Sequence, residues 1–325
     1  MSKSIVPLVV GLLLVVAAAL ATVWNERRAG AGADLRGLVQ AELVEAGHQE
    51  VEPALEGEIL RVAGPVSADG HVREPALDKS FPVLRLDRIV ETAQWREEEI
   101  VTQGGRDLRY HLVWSASRID SSRFRDGGGA HPNPPLRLES ERFLAPSPRL
   151  GAWSADHALW HAIRATEPVR LPDRIELSEL GPFSRGSDWW WSGDPDRPAP
   201  GDIRLRYRSV PLARVTLIGR AQDGRLTTLA DEQGEELALG ALGDVPADEL
   251  VGKAATLSAT ETWKLRLLTL AVFLLGGFIL AFALKRLAPE LLAELGGNIR
   301  TTGGLGGLLM WLGATVTVWL LVRFR

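Results

Sequence analysis

Three apolar stretches without a charged residue stand out in the chain, at residues 5–24, 267–284 and 301–322. Because an α-helix rises about 1.5 Å per residue, each stretch is long enough to cross the roughly 30 Å hydrocarbon layer of a bilayer. A cleaved signal peptide is the alternative for the first stretch, but twenty apolar residues exceed the usual length of its hydrophobic region. With the flanking residues included, the pattern predicts membrane helices at 5–24, 263–286 and 301–322.

The segment between the first two apolar stretches has the alternation of hydrophobic and polar residues that is typical of β-strands. One strand is predicted around residues 108–114 and pairs with the region before it, and a second hairpin is predicted around Asp223-Gly224. Helices are expected only at Ala155 to Ala165, with Ser154 as its N-cap, and in a short segment near Pro246.

The sequence therefore predicts an integral membrane protein with an N-terminal transmembrane helix, a large β-rich (α+β) extramembrane domain at 25–262 and a C-terminal transmembrane helical hairpin. Short tails are predicted at 1–4 and 323–325. The connection at 287–300 has leucines on one helical face, which predicts an amphipathic helix in the membrane interface or an ordinary loop helix packed on its neighbours.

Charge is distributed unevenly along the chain and excludes several classes of protein. Residues 25–262 carry 29 basic and 39 acidic residues, a formal net charge of −10, whereas the rest carries 8 basic and 2 acidic residues. An acidic main domain argues against nucleic-acid binding because it repels phosphate. The absence of cysteine excludes a disulfide, a thiolate zinc site and a cysteine nucleophile.

Glycines mark where the two C-terminal membrane helices are expected to pack. Small residues let helix backbones approach closely in lipid, where the hydrophobic effect does not drive association. A tight hairpin through these glycines is the first interpretation, and self-association through the same face is the second. The predicted packing residues are Gly276, Gly277, Gly303 and Gly307.

A run of three tryptophans, Trp189, Trp190 and Trp191, is the most conspicuous feature of the domain. Exposed tryptophans suit the membrane interface, and the run is therefore a candidate for membrane-surface contact. Burial of one or two rings in the core, and binding of sugars or cations, are the alternatives. The nearby row Arg204, Arg206 and Arg208 is expected to be solvated, to pair with acidic residues or to meet anionic headgroups.

Candidate chemistry is sparse. His157 and His161 share a helical face but lack the glutamate of a zinc-protease motif, and Glu97-Glu98-Glu99 is interpreted as a solvated strand edge because adjacent residues alternate across a strand. No phosphate-binding loop, dinucleotide-binding motif or nucleophile elbow occurs in the sequence. We therefore predict no catalytic residue, no metal and no cofactor.

Short pieces of sequence, in order along nearly the whole chain, resemble the transmembrane protein 43 family. No piece is specific to the family by itself. The order of the pieces and their positions relative to the apolar stretches are specific. The pieces begin with residues 24–29, 85–95 and 110–114, continue with 122–124, 133–134, 200–205 and 215–220, and end with 247–250 and 262–266.

The resemblance implies a location and a role. Eukaryotic members reside in the endoplasmic reticulum and inner nuclear membrane, self-associate and are linked to nuclear-envelope organisation with lamins and emerin. Members usually have four spans, whereas three are predicted here, and no catalytic residues are established for the family. The predominance of arginine, 32 against 5 lysines, favours a prokaryotic-type member in a bacterial inner membrane.

Orientation is ambiguous from the residues alone. Counting basic residues near the apolar stretches gives four on the N-terminal side and six on the domain side, which favours a cytosolic domain. The resemblance implies a lumenal domain, which corresponds to the periplasm. We expect the periplasmic orientation because long segments are translocated largely regardless of their charge.

The leading hypothesis is a non-enzymatic membrane scaffold that acts through self-association of a bilayer-tethered domain. Its expected partners are the lipid bilayer, further copies of the chain and other membrane proteins. The alternatives are a channel or transporter subunit, with a pore lined by Thr301, Thr302, Thr315 and Thr317, and a membrane-tethered lipid-binding, sugar-binding or hydrolytic domain.

Overall fold

Long helices at both ends of the chain hold a β-rich domain between them. The computed structural model describes residues 5–102, 105–230, 236–287 and 299–323. The predicted tail at 1–4, most of the connection at 287–300 and the last two residues lie outside the described residues. The helices are α1 (Ile5–Glu42), α2 (His157–Ala162), α3 (Ala247–Leu287) and α4 (Ile299–Arg323).

The strands assemble into a first and a second sheet and two small hairpins. In chain order they are β1 (Leu43–Ala46), β2 (Ile59–Ser67), β3 (Val72–Glu74), β4 (Lys79–Phe81), β5 (Val83–Thr102), β6 (Gly105–Ser115), β7 (Glu141–Leu144), β8 (Arg149–Leu150), β9 (Trp153–Ala155), β10 (Glu167–Pro168), β11 (Arg174–Leu177), β12 (Gly181–Gly186), β13 (Trp189–Trp191), β14 (Ile203–Pro211), β15 (Arg214–Gln222), β16 (Arg225–Thr227), β17 (Leu229–Ala230), β18 (Glu236–Leu237) and β19 (Leu239–Leu242).

The first sheet closes on itself. Its order is β1-β2-β8-β9-β16-β15-β19, and β15 also pairs with β2, so that five strands form a ring. Leu60, Val62 and Leu217 fill the interior of the ring, whereas Ile59 and Ile218 on the opposite face pack against α1 and α3. The central strands are therefore buried on both faces, which explains their nearly continuous hydrophobic runs.

The second sheet is open, with the order β11-β12-β13-β14-β5-β6, while β10 and β7 pair with β14 and β5. One face packs on its own core around Leu86, Phe183, Trp190 and Leu205. The opposite face of β13 and β14 carries half-buried tryptophans and arginines. Buried and half-buried residues alternate along β13 and β14 because successive side chains of a strand point to opposite faces of the sheet.

Both hairpin predictions are confirmed. β5 pairs with β6 through Thr102 and Gly105, and β15 pairs with β16 across Asp223-Gly224. Both turn residues of the second hairpin have positive φ, 51° and 73°, as a two-residue hairpin of this type requires.

The helix prediction at Ala155 to Ala165 was wrong in its bounds. Ala155 ends strand β9, and α2 begins at His157 with Asp156 as N-cap in place of Ser154. Asp156 is held extended because its carboxylate accepts hydrogen bonds from Arg225 at 2.7 Å and from the Thr228 backbone at 3.3 Å.

The predicted boundaries between membrane helices and domain fall inside continuous helices. α1 does not end at Trp24 but continues to Glu42, and the short helix expected near Pro246 is the first turn of the 41-residue α3. Both helices are long and apolar enough to cross a membrane. The segments after Trp24 and before Trp263 contain Gly30, Gly32, Gly37 and Gly252, so local composition alone does not favour a helix there, and the packing of the two helices on each other and on the first sheet stabilises it.

A buried ion pair lies in the core of the second sheet. Glu74 is fully buried, and its Oε1 accepts hydrogen bonds from Arg88 at 2.5 Å and from the Tyr207 hydroxyl at 3.1 Å. Arg88 also reaches Glu141 at 2.8 Å. Burial raises the pKa of Tyr207, which keeps its hydroxyl protonated as a donor.

Replacing Glu74 by alanine is expected to lower the free energy of unfolding by about 3–5 kcal/mol, because it removes the buried partner of Arg88 and leaves this buried guanidinium with only the exposed Glu141 as a charged partner. Glu176→Ala, at an exposed position of β11, is the matched control and should change stability by less than about 0.5 kcal/mol. Denaturant unfolding of the detergent-solubilised chain, followed by tryptophan fluorescence, measures both. Equal effects of the two variants would contradict the assignment.

Candidate functional site

Helices α1 and α3 lie antiparallel and are joined where the apolar stretches end. Arg266 donates two hydrogen bonds to Glu26, at 2.8 and 2.6 Å, and Glu26 is only 3% exposed. Beside this pair, the Asn25 amide donates to the Thr262 carbonyl at 3.3 Å. A bidentate arginine–carboxylate pair has a fixed geometry, so it sets the register of one helix against the other.

The same two helices continue together into the domain. Leu35 and Val39 of α1 pack against Leu250 and Val251 of α3 and against the first sheet. We call the paired segments 25–42 and 247–262 the stalk. Because the helices are uninterrupted, the stalk and the predicted membrane segments are parts of the same helices.

Glycines provide the closest helix contacts. A Cβ at Gly277 would lie 2.4 Å from the Gly303 carbonyl oxygen, and one at Gly307 would lie 2.6 Å from the Phe273 carbonyl oxygen. Gly276 faces α1, where its Cβ would be 2.9 Å from the Val15 side chain. Such distances leave no room for a side chain, so the structure brings α3 against α4 and α1 at these glycines.

These contacts correct the second interpretation of the glycines. Gly277, Gly303 and Gly307 are covered by a neighbouring helix of the same chain, so their face is not free to meet a second copy. Gly306, in contrast, has open space around its position. Contact between copies through these three glycines would require the helices of one chain to separate.

Helix α4 is also attached at the level of the ion pair. The Trp311 indole donates to the Arg266 carbonyl at 3.1 Å and approaches the Thr269 hydroxyl at 3.3 Å. α4 then continues to Arg323. Apolar helix thus flanks the Glu26–Arg266 pair, which explains why these charges neutralise each other instead of facing solvent.

The tryptophan run is divided between the two faces of the second sheet. Trp190 is 4% exposed, and its indole donates to the Pro172 carbonyl at 2.9 Å within the core. Membrane contact is therefore wrong for Trp190, because its ring is covered by protein. Trp189 and Trp191 point to the opposite face and are half-buried, and for these two rings membrane contact stays a prediction.

Arginines stack on these two rings. The Arg204 guanidinium lies 4.6 Å from the centre of Trp189 and 5.5 Å from that of Trp191. It also lies 4.7 Å from Trp114 of β6, and it forms an ion pair with Glu91. The Arg206 guanidinium also lies 4.6 Å from the centre of the Trp189 ring. We call Trp114, Trp189, Trp191, Arg204 and Arg206 the tryptophan–arginine face.

The sequence did not identify Trp114 and Glu91 as members of this face. The strand pairing places both residues on this face, since Trp114 of β6 lies opposite Ala93 of β5, and Arg204 of β14 lies opposite Glu91 of β5. Only the register of β5 with both neighbours shows that these residues share a face. Arg208, the last member of the arginine row, lies 3.8 Å from Asp188 at the edge of this face.

A polar cluster fixes the loop that follows β6. The Tyr110 hydroxyl donates to Glu97 at 2.7 Å, which raises the pKa of Tyr110 to about 12. His131 stacks on Tyr110 with 3.9 Å between ring centres and contacts Asp126 at 2.9 Å. The histidine contact and the Gly128 backbone N–H lower the pKa of the Asp126 carboxyl.

Pieces that carry the family resemblance meet at this cluster. The Asn133 side chain accepts a hydrogen bond from the Trp95 backbone N–H at 2.6 Å and donates to the Trp95 carbonyl at 2.9 Å. It thus takes the place of a neighbouring strand along the part of β5 that lies beyond the first residue of β14, Ile203. Phe124 lies 5.9 Å from Tyr110. These residues shape the loop, and they come from four separate pieces of sequence.

The glutamates Glu97, Glu98 and Glu99 are not a solvated edge throughout. Glu97 accepts hydrogen bonds from Tyr110 and the Arg125 backbone, and Glu99 pairs with the Arg125 side chain at 3.2 Å. Glu98 faces the other side, 3.9 Å from His111. The interpretation failed because the loop after β6 folds back over one face of the hairpin.

The histidine pair on α2 does not form part of a larger ligand set. The rings of His157 and His161 are 6.0 Å apart, and burial lowers the pKa of His161. Within the ranges that the structure describes, no three histidine or carboxylate side chains are grouped closely enough to hold a metal ion.

Gly277→Val is expected to destabilise the helical hairpin by about 1–3 kcal/mol, because the new side chain would overlap the Gly303 backbone. Gly306→Val, in open space on α4, is the matched control and should have little effect. Thermal unfolding in detergent, followed by circular dichroism, measures both. A larger loss for the Gly306 variant would overturn the proposed packing.

The loop after β6 is expected to loosen in acid. The Asp126 carboxyl has a lowered pKa in the folded chain, so its stabilising effect is complete above the ordinary aspartate value of about 3.9 and is lost as the pH falls through the folded pKa. Hydrogen exchange of residues 119–133, corrected for the intrinsic pH effect, should show protection lost below about pH 4. In Asp126→Asn this acid-dependent step should be missing, and its persistence there would assign it to another group.

Comparison with known proteins identifies relatives among membrane proteins. The family model described as Transmembrane protein 43 matches residues 90–324. The proteins named Transmembrane protein 43 from Rattus norvegicus and Homo sapiens are each 25% identical over 235 residues, which cover 66% of this chain and 58% of each relative. The homolog from Drosophila melanogaster is 23% identical over 272 residues, which cover 78% of this chain and 70% of the relative.

No solved structure matches the chain. The chain spans somewhat more than half the length of the rat and human relatives. The family model, however, covers well over half of the chain, from β5 to the end of α4. The chain therefore belongs to the transmembrane protein 43 family.

Proposed function

We propose that this protein is a non-enzymatic membrane scaffold that holds a β-rich domain at a fixed distance from the bilayer and acts by self-association. The observation that carries the proposal is the continuity of α1 and α3, which run without a break from their apolar stretches into the domain core. A flexible linker would leave the domain free to move, whereas paired helices transmit position from membrane to domain.

The stalk carries the domain on the membrane helices themselves. Residues 25–42 and 247–262 correspond to about 27 and 24 Å of helix at 1.5 Å per residue. The first sheet packs on the far part of this stalk, through Leu35, Val39 and Leu250. Because Trp311 of α4 meets Arg266 and α4 stays uncharged to residue 322, apolar helix accompanies the near part of the stalk, which holds the domain close to the bilayer.

The chemistry of the described residues also favours a binding role over catalysis. The titratable groups that lie close together are paired with one another, as in Glu26–Arg266, Glu74–Arg88 and Asp126–His131. These pairs fix elements of the fold. A scaffold needs such rigidity, and it needs no nucleophile or metal.

Anchoring of several copies in one bilayer supports self-association. Two copies anchored in the same membrane face each other at the same height and at a high effective concentration. We place the protein in a bacterial inner membrane with the domain on the periplasmic side and α4 ending on that same side. The domain lysine Lys79, exposed on β4, reports this orientation.

Two measurements on the full chain test the proposal. Light scattering of the detergent-solubilised protein should give an oligomer, because the proposed role requires contact between copies. In intact spheroplasts, an amine reagent that does not cross membranes should label Lys79 on the β-rich domain, whereas Lys285 at the end of α3 should react only after lysis.

A strictly monomeric protein in detergent and in cross-linked membranes would overturn the self-association. Labelling of Lys285 but not Lys79 in intact spheroplasts would overturn the orientation and would leave the scaffold on the cytosolic side. Turnover of a substrate by the purified chain would remove the non-enzymatic assignment.

A further inference from the structure

A cleft lies where strands β8, β9 and β16 of the first sheet meet the end of β7 from the second sheet. Its volume is about 550 Å³, which is within the range of pockets that hold small molecules. Leu144 and Trp160 give it apolar lining, whereas Arg149, Arg225 and His157 are basic side chains that line the same cleft. The cleft therefore combines an apolar surface with a cationic one.

Strand register brings the two arginines into one row of the first sheet. Arg149 of β8 lies opposite Ser154 of β9, and Ser154 lies opposite Arg225 of β16. Residues that are directly opposite on neighbouring strands share a face. This face is the outer one, because the next residues, Leu150 and Leu226, fill the interior of the ring. With strands about 4.8 Å apart, the backbones of the two arginines are about 10 Å apart, and Ser154 lies between them.

Neighbouring groups hold both arginines in place. Arg149 donates a hydrogen bond to the Ala152 carbonyl in the turn between β8 and β9, and Arg225 donates to the Asp156 carboxylate at 2.7 Å. Within the ranges that the structure describes, Arg149 has no acidic partner and the Ser154 hydroxyl forms no hydrogen bond. These donors, and those that Arg225 does not give to Asp156, are available to a ligand.

The connection between β7 and β8 forms a rigid side of the cleft. Ser147 has a positive φ of 47°, a conformation that serine keeps only where the surrounding structure holds it. Pro146 and Pro148 on either side have fixed φ angles, and the Asp69 backbone N–H donates to the Pro146 carbonyl at 3.1 Å. Because this side is already ordered, a ligand would bind without the entropic cost of arranging it.

A phosphate group is the anion that suits this arrangement. Guanidinium groups form charge-assisted hydrogen bonds with phosphate oxygens, and two of them balance the charge of a phosphate monoester, which is nearly two at neutral pH. The oxygens of a phosphate point in several directions and can meet donors from both sides of Ser154, whereas a carboxylate has two oxygens and a single charge. The cleft is a local exception in a domain with 29 basic and 39 acidic residues.

We propose that this cleft binds the phosphate monoester of a small organic ligand, with Arg149, Ser154 and Arg225 as its donors. His157, exposed at the start of α2, offers a further ring N–H at the same cleft. The carbon part of the ligand contacts the apolar lining around Trp160. The inference goes beyond the proposed scaffold, because it gives the domain a ligand that contacts both of its sheets.

Titration of the detergent-solubilised full chain with glycerol 3-phosphate tests the proposal. In isothermal titration calorimetry, Arg149→Gln should weaken binding about tenfold or more, because it removes the guanidinium that has no acidic partner. Arg109→Gln, at an exposed position of β6 outside the cleft, is the matched control and should leave the affinity unchanged.

Ser154→Asp is a second variant that keeps the test decisive if Arg149→Gln fails to fold. It places a permanent carboxylate between the two arginines, so the chain should remain folded and lose phosphate binding. Glycerol 3-phosphate should raise the Tm of the wild-type chain, because a ligand that binds only the folded state stabilises it, but it should not raise the Tm of Ser154→Asp.

The source of the phosphate is distinguished in the same assay with dihexanoyl phosphatidic acid. Tighter binding of this lipid than of glycerol 3-phosphate, lost in Arg149→Gln, would identify a lipid headgroup. Equal or weaker binding of the lipid would identify a water-soluble phosphate ester. Both results support the site.

Three results would overturn the proposal. They are failure of the wild-type chain to bind either phosphate, binding that is unchanged in both Arg149→Gln and Ser154→Asp, and affinity for acetate equal to that for glycerol 3-phosphate. Each is independent of the scaffold role, since an oligomer without phosphate binding would lose only this site. A monomer that binds phosphate would lose only the self-association.

Discussion

The ion pair between Glu26 and Arg266 is the interaction on which the arrangement of the molecule depends. It joins α1 to α3 through two residues that are 240 positions apart in sequence. A pair that is largely removed from water contributes little net stability, but its geometry tolerates only one register. That register aligns the glycines on the membrane side and the leucines of the stalk on the domain side.

From this alignment the rest of the architecture follows in layers. The stalk provides the apolar surface on which Ile59 and Ile218 of the first sheet pack, while a separate core fills the interior of that sheet's ring. The second sheet packs on its own core, and the loop after β6 covers only part of its opposite face. The buried ion pairs therefore hold elements of the fold together, whereas the tryptophans and arginines of the second sheet are half-buried at its surface.

The sequence predicted those features that are encoded locally. Uncharged stretches revealed the membrane helices, alternation revealed the hairpins, and Asp223-Gly224 marked its turn, because each depends on neighbouring residues. The length of α1 beyond Trp24 was missed, since an amphipathic or neutral helix is stabilised by its partner and not by its own composition. The grouping of Trp114 with Trp189 was missed because it requires the pairing of strands far apart in sequence.

The continuous helix pair also couples the orientation of the domain to the tilt of the membrane helices. Membrane helices respond to a change in hydrocarbon thickness by changing their tilt. In this chain the same two helices enter the core of the first sheet at Leu35 and Leu250, so a tilt is not absorbed by a hinge. A thinner or thicker membrane would swing the whole β-rich body sideways, and lipid composition would thereby set the angle at which neighbouring molecules meet.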